Sequence, residues 1–184
     1  MERIPESFKS VQHYLGSYVY PLLEETRAQL HSSLEIICTA PYAEVISFLE
    51  FKQYETKKYN VTVDHWRNRF SDRGKEPYRT LPGDVLILAD AKPETVSDLQ
   101  RAGRSWAFVS VTNITEEENE DGFNCTFFKV KALKEFDLNI ETKSSLFVIF
   151  LRNLTSNRRI WEALHMSGNL KVVKEVLCID SMVS

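Results

Sequence analysis

Residues 65–79, His-Trp-Arg-Asn-Arg-Phe-Ser-Asp-Arg-Gly-Lys-Glu-Pro-Tyr-Arg, hold the one local concentration of basic charge in the chain. Arg67, Arg69, Arg73, Lys75 and Arg79 stand there against Asp72 and Glu76, with Trp66, Phe70 and Tyr78 interleaved. Guanidinium groups pair with phosphates, and aromatic rings stack on unpaired bases at about 1–3 kcal/mol each. Trp66, Arg67, Arg69, Phe70, Arg73, Lys75 and Arg79 are therefore candidates for contact with a single nucleic-acid strand. The competing reading is a polar loop whose aromatics anchor it to the core. A smaller basic group comprises Arg152, Arg158 and Arg159. Two cations in the first turn of a helix oppose its dipole, which points Arg158 and Arg159 toward an anionic partner.

Other chemistry finds little to work with. His13, His31, His65 and His165 are scattered, with no His-x-x-x-His pair and no cysteine beside them, so neither a metal site nor a catalytic triad is indicated. Cys38, Cys125 and Cys178 match no metal-binding spacing and leave one thiol unpaired under any disulfide scheme. Glu24-Glu25 suits a helix start, and the acidic run over residues 116–121 suits a solvated loop. No catalytic residue, metal or cofactor is expected.

The 184 residues suffice for one domain with a real core. A hydrophobic content of 43% with 27% charged residues is that of a soluble globular chain, neither disordered nor fibrous. Net charge of −3 provides no global attraction to nucleic acid, so such binding must come from a local patch. The N-terminus lacks the basic-then-apolar pattern of a signal peptide, and no apolar run approaches the roughly 20 residues that span a bilayer. An intracellular chain without membrane association is expected. Its four Asn-x-Thr triplets then read as chance matches in Thr-rich strands.

The elements that must position the basic residues can be read from periodicity. Pro82-Gly83-Asp84 is a turn signal, followed by the buried run 85–88 and, after a connection with Pro93 at a helix start and 94–101 as its body, by the strand 106–111. Residues 42–51 form a dense apolar run compatible with helix or strand, with strand favoured by its aromatic and β-branched content and by Pro41 at its entry, and residues 59–63 alternate as a strand. In residues 123–133, Phe127, Lys129 and Lys131 alternate with Phe128, Val130 and Ala132. The continuous apolar run 146–151 reads as a strand buried on both faces or closing a barrel. Five or six strands can curl into a small barrel. Ahead of them, helical periodicity opens at Pro5 and Glu6 and resumes after Pro21 to about Ser33, predicting one kinked or two consecutive helices. After them, Thr155 or Ser156 caps a helix ending at Gly168, and Asn169 caps a shorter one. Trp106 and Trp161 lie in apolar periodic runs and read as core anchors. The expected fold is α+β: an N-terminal helical arm over 1–38, a small antiparallel β-barrel over 39–154, and C-terminal helices over 155–184. The abrupt end after Ser184 suggests part of something longer.

The order of these features resembles the segment just before the motor core in superfamily-1 helicases of the up-frameshift and senataxin type, closest to the plant senataxin-like members. Tyr20-Pro-Leu-Leu-Glu-Glu-Thr-Arg-Ala-Gln-Leu30 resembles the helix ahead of the family's inserted barrel. The run from Pro82 to Leu88 and that from Arg104 to Val111 resemble its Gly-Asp strand and the Trp-containing strand that follows. Leu146 to Arg152, with Ser156 to Leu164, resembles the exit toward the motor. The resemblance implies a parent ATP-dependent helicase in the nucleus rather than the cytoplasm. This chain would be an accessory region holding single-stranded RNA or DNA, with the motor domain as its partner in cis. The family's Gly-rich phosphate loop has no counterpart here, because Gly74-Lys75 is followed by Glu76 where a Ser or Thr would bind Mg²⁺. ATP hydrolysis is not expected of this chain. A protein-docking module without nucleic-acid binding is the rival reading.

Overall fold

The computed structural model describes residues 3–53, 56–67, 78–115, 125–134, 145–166 and 170–177. The chain divides into two compact units, one formed by Met1–Gln29 with Thr155–Ser184 and the other by Leu30–Leu154.

The second unit is a closed, six-stranded antiparallel barrel. Its strands are β1 (Tyr42–Gln53), β2 (Thr56–Val63), β3 (Asp84–Ala89), β4 (Trp106–Thr115), β5 (Thr126–Ala132) and β6 (Phe147–Asn153). They run around the barrel in the order β1-β2-β5-β4-β3-β6, and β6 pairs back onto β1 through Tyr42–Ile149, Ala43–Val148 and Glu44–Phe147. Closure removes the exposed edges that an open sheet of these strands would carry. Three irregularities in register insert an extra residue, Ile46 in β1, Thr112 in β4 and Leu151 in β6. Each bulge sharpens the local twist, which is what lets so few strands meet. Ile46 is thereby turned outward and is 59% exposed despite its place in an apolar run.

Two apolar layers hold the barrel. The interior is filled by Tyr59, Val61 and Val63 of β2, Leu86 and Leu88 of β3, Val109 and Val111 of β4, Phe128 and Val130 of β5, and Val148 of β6. Their neighbours Val85, Ile87 and Ala89 point the other way, into an outer layer with Ile149 and Leu151. Ile37, Leu99 and the half-buried Leu30 and Leu34 cover that layer. The unbroken apolar run 85–88 is explained by this double cover, which buries every residue of β3. Asp84–Ala89, at the centre of the sequence pattern, is also the strand on which both cores meet.

The turn ahead of β3 forms as its residues dictate. Asp84 N–H donates to the Leu81 carbonyl at 3.1 Å, and Gly83 sits at φ 88°, the left-handed position that a type II turn assigns to its third residue. The following connection departs from expectation. Helix α2 spans only Val96–Leu99, because the Asp98 carboxylate draws in the N–H groups of Glu94 (2.9 Å) and Thr95 (2.8 Å) and so sets the start three residues beyond Pro93.

The long helix α1 (Val11–Glu35) is continuous through Pro21. It begins at Val11 rather than near Pro5: Ser10 Oγ accepts the His13 N–H at 3.0 Å and acts as the cap. Phe8, expected on the helix, lies before it and packs edge-on against Tyr14 at 4.9 Å. In the same unit are α3 (Thr155–His165) and α4 (Leu170–Leu177). Asn157 ties α3 to α1 by donating to Thr26 Oγ1 at 2.8 Å and to Gln29 Oε1 at 3.3 Å. Trp161, expected as a core anchor, is 38% exposed and lies beside the His165 ring, because α3 has no buried face of its own. Trp106 does pack against the outer layer of the barrel. Gly168, Asn169 and the acidic run 116–121 lie outside the described residues, and no described helix is long and apolar enough to cross a membrane.

Candidate nucleic-acid interface

The basic segment leaves the barrel at the end of β2 and returns just before β3, and both of its ends are fastened at one place. On the outgoing side, Asp64 N–H bonds to the Glu44 carbonyl at 2.9 Å, and Arg67 pairs through its backbone with Tyr42 in both directions, at 3.0 and 2.8 Å. On the returning side, Thr80 is buried and its Oγ1 accepts the Trp66 indole N–H at 3.0 Å. The Trp66 and Tyr78 rings meet edge to face at 4.5 Å, and Tyr78 continues onto Phe150 at 4.4 Å. Trp66 packs against the barrel interior. It has the anchoring geometry that the sequence allowed as the alternative for this residue.

Beneath these rings lies a buried carboxylate that sequence reading treated only as part of a turn. Asp84, 1% exposed, accepts the Tyr78 hydroxyl and the Leu81 N–H on Oδ2 and the Asn153 amide on Oδ1. One side chain thus ties the returning loop, the start of β3 and the end of β6. Burial, then the bond to Asp84, pushes the Tyr78 hydroxyl well above the usual phenol range, so it stays a donor at any physiological pH. An acid directly between Pro-Gly and a wholly apolar run was the available signal. Its partners are 6 residues upstream and 69 downstream, which no local pattern announces.

Arg67 and Arg79 are both exposed at this end of the barrel. The Arg67 guanidinium reaches Asp64 Oδ2 at 2.7 Å and His65 Nε2 at 3.2 Å. Asp64 is held down to about 2, chiefly by the His65 backbone N–H, then by the His65 ring and Arg67. This gives a pH prediction whose sign follows from the depressed value. Whatever the Asp64 cluster contributes is complete above the unfolded carboxylate value of about 3.9 and is lost as pH falls through about 2. The Asp64 side-chain carbon signal should titrate near 2, and His65→Ala should move the midpoint upward while the backbone bond remains. A wild-type midpoint at the ordinary value would refute the cluster. Because Asp64 is a surface group, the accompanying change in stability should be small.

Arg69, Phe70, Arg73 and Lys75 lie outside the described residues. Arg158 and Arg159 are on the exposed side of α3 in the other unit, where Arg158 pairs with Glu162 at 3.4 Å. Among the described residues no three His, Cys, Asp or Glu side chains converge as a metal-ligand set. A cavity of about 280 Å³ beside α2 is lined by Asp90, Lys92, Asp98, Arg101, Arg104 and Trp106 among others. Two of its cations already have acidic partners, Arg101 with Asp98 at 2.9 Å and Arg104 with Asp90 at 3.6 Å.

With this geometry in hand, comparison with known proteins places the chain in a family. It belongs to the family described as Domain of unknown function (DUF6469), which matches residues 1–184. No curated protein matches it.

Proposed function

We infer that this DUF6469 domain is an accessory nucleic-acid-binding module, which grips single-stranded RNA or DNA beside a helicase motor domain without chemistry of its own. The observation that carries the reading is the double fastening of the basic segment: Trp66, Thr80 and Tyr78 clamp its two ends together, with Arg67 and Arg79 exposed on either side. A segment fastened at its ends loses less conformational entropy on gripping a ligand than a free one, which favours phosphate contact by Arg67 and Arg79 at those ends. The filled barrel interior leaves its outer surface for binding. The helicase part of the reading is supported by the order of sequence features, now seen to belong to a closed barrel preceded by a long helix and followed by helices.

The triple variant Arg69→Glu, Arg73→Glu and Arg79→Glu tests it, with Arg67 kept because its guanidinium is bonded to Asp64 and His65. Affinity for a single-stranded oligonucleotide should fall, and the slope of log K against log salt should become shallower by about 2, at about 0.7 for each lost phosphate contact. An affinity unchanged at low salt would remove the idea. The rival, a protein-docking module, is favoured by the exposed apolar side chains of α3 and its end, Ile160, Trp161 and Met166. Docking through such a face would hardly respond to salt.

A further inference from the structure

We propose, resting on the nucleic-acid reading above, that the cavity beside α2 seats one nucleotide of a single strand, with Arg104 and Lys92 on its phosphate and Trp106 along its base. The connection between β3 and β4 builds this cavity. Neighbouring antiparallel strands need about 2–5 residues to turn, whereas here residues 90–105 make the excursion. Its two ends are drawn together at the barrel: Asp90 N–H donates to the Ser105 carbonyl at 3.1 Å, and the Asp90 carboxylate accepts the Ser105 N–H at 2.9 Å. Leu99, buried in the outer layer, pins the far part. The space left is about 280 Å³, at the small end of the roughly 300–1,000 Å³ of small-molecule sites, and so suits a ligand no larger than one nucleotide.

The lining holds three acids, Asp90, Glu94 and Asp98, and three bases, Lys92, Arg101 and Arg104, but the two sets are not equally engaged. Asp98 already accepts the Glu94 and Thr95 N–H groups and pairs with Arg101 at 2.9 Å, and Asp90 holds the Ser105 N–H. The Arg104 guanidinium comes no closer to Asp90 than 3.6 Å, beyond hydrogen-bond reach. Lys92 has no acidic partner among the described residues, and its Nζ lies 3.5 Å from the centre of the Tyr42 ring. The donors left open are therefore cationic, which calls for an anionic oxygen. The acids in the same lining repel a polyphosphate, so one phosphate suits the cavity better than three. Half-buried Trp106 packs on the outer layer and also lines the cavity, giving a flat base a surface that an inorganic anion would not use. Tyr42 joins this place to the basic segment. Tyr42 and Arg67 form a doubly bonded antiparallel pair, which puts their side chains on one face, and Lys92 lies over that same Tyr42 ring. A strand gripped at Arg67 thus has the cavity beside it.

The test follows the Trp106 indole N–H signal of the full chain by NMR, assigned with Trp106→Phe. The probes are adenosine monophosphate, adenosine triphosphate, inorganic phosphate and a single-stranded adenine homopolymer of about 16 nucleotides. The homopolymer and the monophosphate should both shift the signal to saturation, and the monophosphate should bind more tightly than the triphosphate. Lys92→Gln with Arg104→Gln should weaken monophosphate binding by about tenfold or more, the loss expected when charge-assisted bonds to phosphate are removed, at an unchanged urea midpoint. Arg104→Gln alone, which leaves Lys92 on Tyr42, repeats the comparison if the double variant unfolds at lower urea. The triple arginine variant of the loop should leave monophosphate affinity unchanged, since none of its three positions lines the cavity. A signal unmoved by monophosphate and strand, with strand binding still impaired by the loop variant, would overturn the cavity and leave the nucleic-acid reading intact. Inorganic phosphate displacing the monophosphate at equal concentration would show that the base is not held and overturn the proposal. Movement with the monophosphate but not with a bound strand would overturn the strand as the source of the nucleotide. Movement with the monophosphate and no strand binding at all would overturn the reading above while supporting the cavity.

Discussion

Asp84→Ala is expected to destabilise the barrel by about 2–4 kcal/mol, a large share of the roughly 5–15 kcal/mol available to a domain. Three donors lose their acceptor at once: the Tyr78 hydroxyl, the Leu81 N–H and the Asn153 amide. Each orphaned buried donor costs about 1–3 kcal/mol, and the total falls short of the sum because water can enter at the partly open loop side. Asp84→Asn should cost less, since one oxygen still accepts, yet its amide would face donors. Tyr78→Phe removes one bond and no acceptor, so about 1 kcal/mol is expected. Urea unfolding reads the series as midpoint shifts at constant slope. An alanine variant as stable as the wild type would show that Asp84 does not join the loop to β3 and β6. Because the same carboxylate holds Tyr78, and Tyr78 holds Trp66, loosening of the basic segment should accompany the loss of stability.

The second large effect concerns neighbours that point in opposite directions. Leu86→Ala and Ile87→Ala should each cost about 2–5 kcal/mol, because both side chains are fully buried, one among the interior residues and the other beneath Ile37, Leu99 and the end of α1. In a strand with one wet face the two would differ sharply, the outward residue falling within about 0.5 kcal/mol of wild type. Leu49→Ala offers the internal comparison, since Leu49 is 62% exposed on the open wall and should sit within that margin. A cheap Ile87→Ala would mean that the outer layer does not seal β3. Equal costs would establish that the barrel has a covered wall.

Much of the architecture was legible because period-two patterns and turn residues act locally. The alternation of Phe127, Lys129 and Lys131 with Phe128, Val130 and Ala132 sorted inside from outside on β5 before any pairing was known. Pro82-Gly83 announced a turn whose geometry needs only those residues. Helix boundaries were less legible. Ser10 and Asp98 set two starts through single side-chain bonds, and several polar residues nearby could have done the same. Trp161 misled because an apolar stripe shows what a helix could bury and not whether anything lies against it.

The candidate site divides along the same line. The clustering of Arg67, Arg69, Arg73, Lys75 and Arg79 with aromatics was visible as composition. That Trp66 and Tyr78 clamp the segment, and that Asp84 holds the clamp, depended on contacts reaching across the barrel.

What the amino-acid order determined by itself is the set of strands, their inward and outward faces and the local charge of the segment between β2 and β3, since propensity, periodicity and turn chemistry involve only residues close in the chain. Closure into six strands, the three bulges and the two-sided burial of β3 were decided by tertiary structure alone. Each of these depends on which distant strand becomes the neighbour, and register is settled only when the whole barrel shares one core.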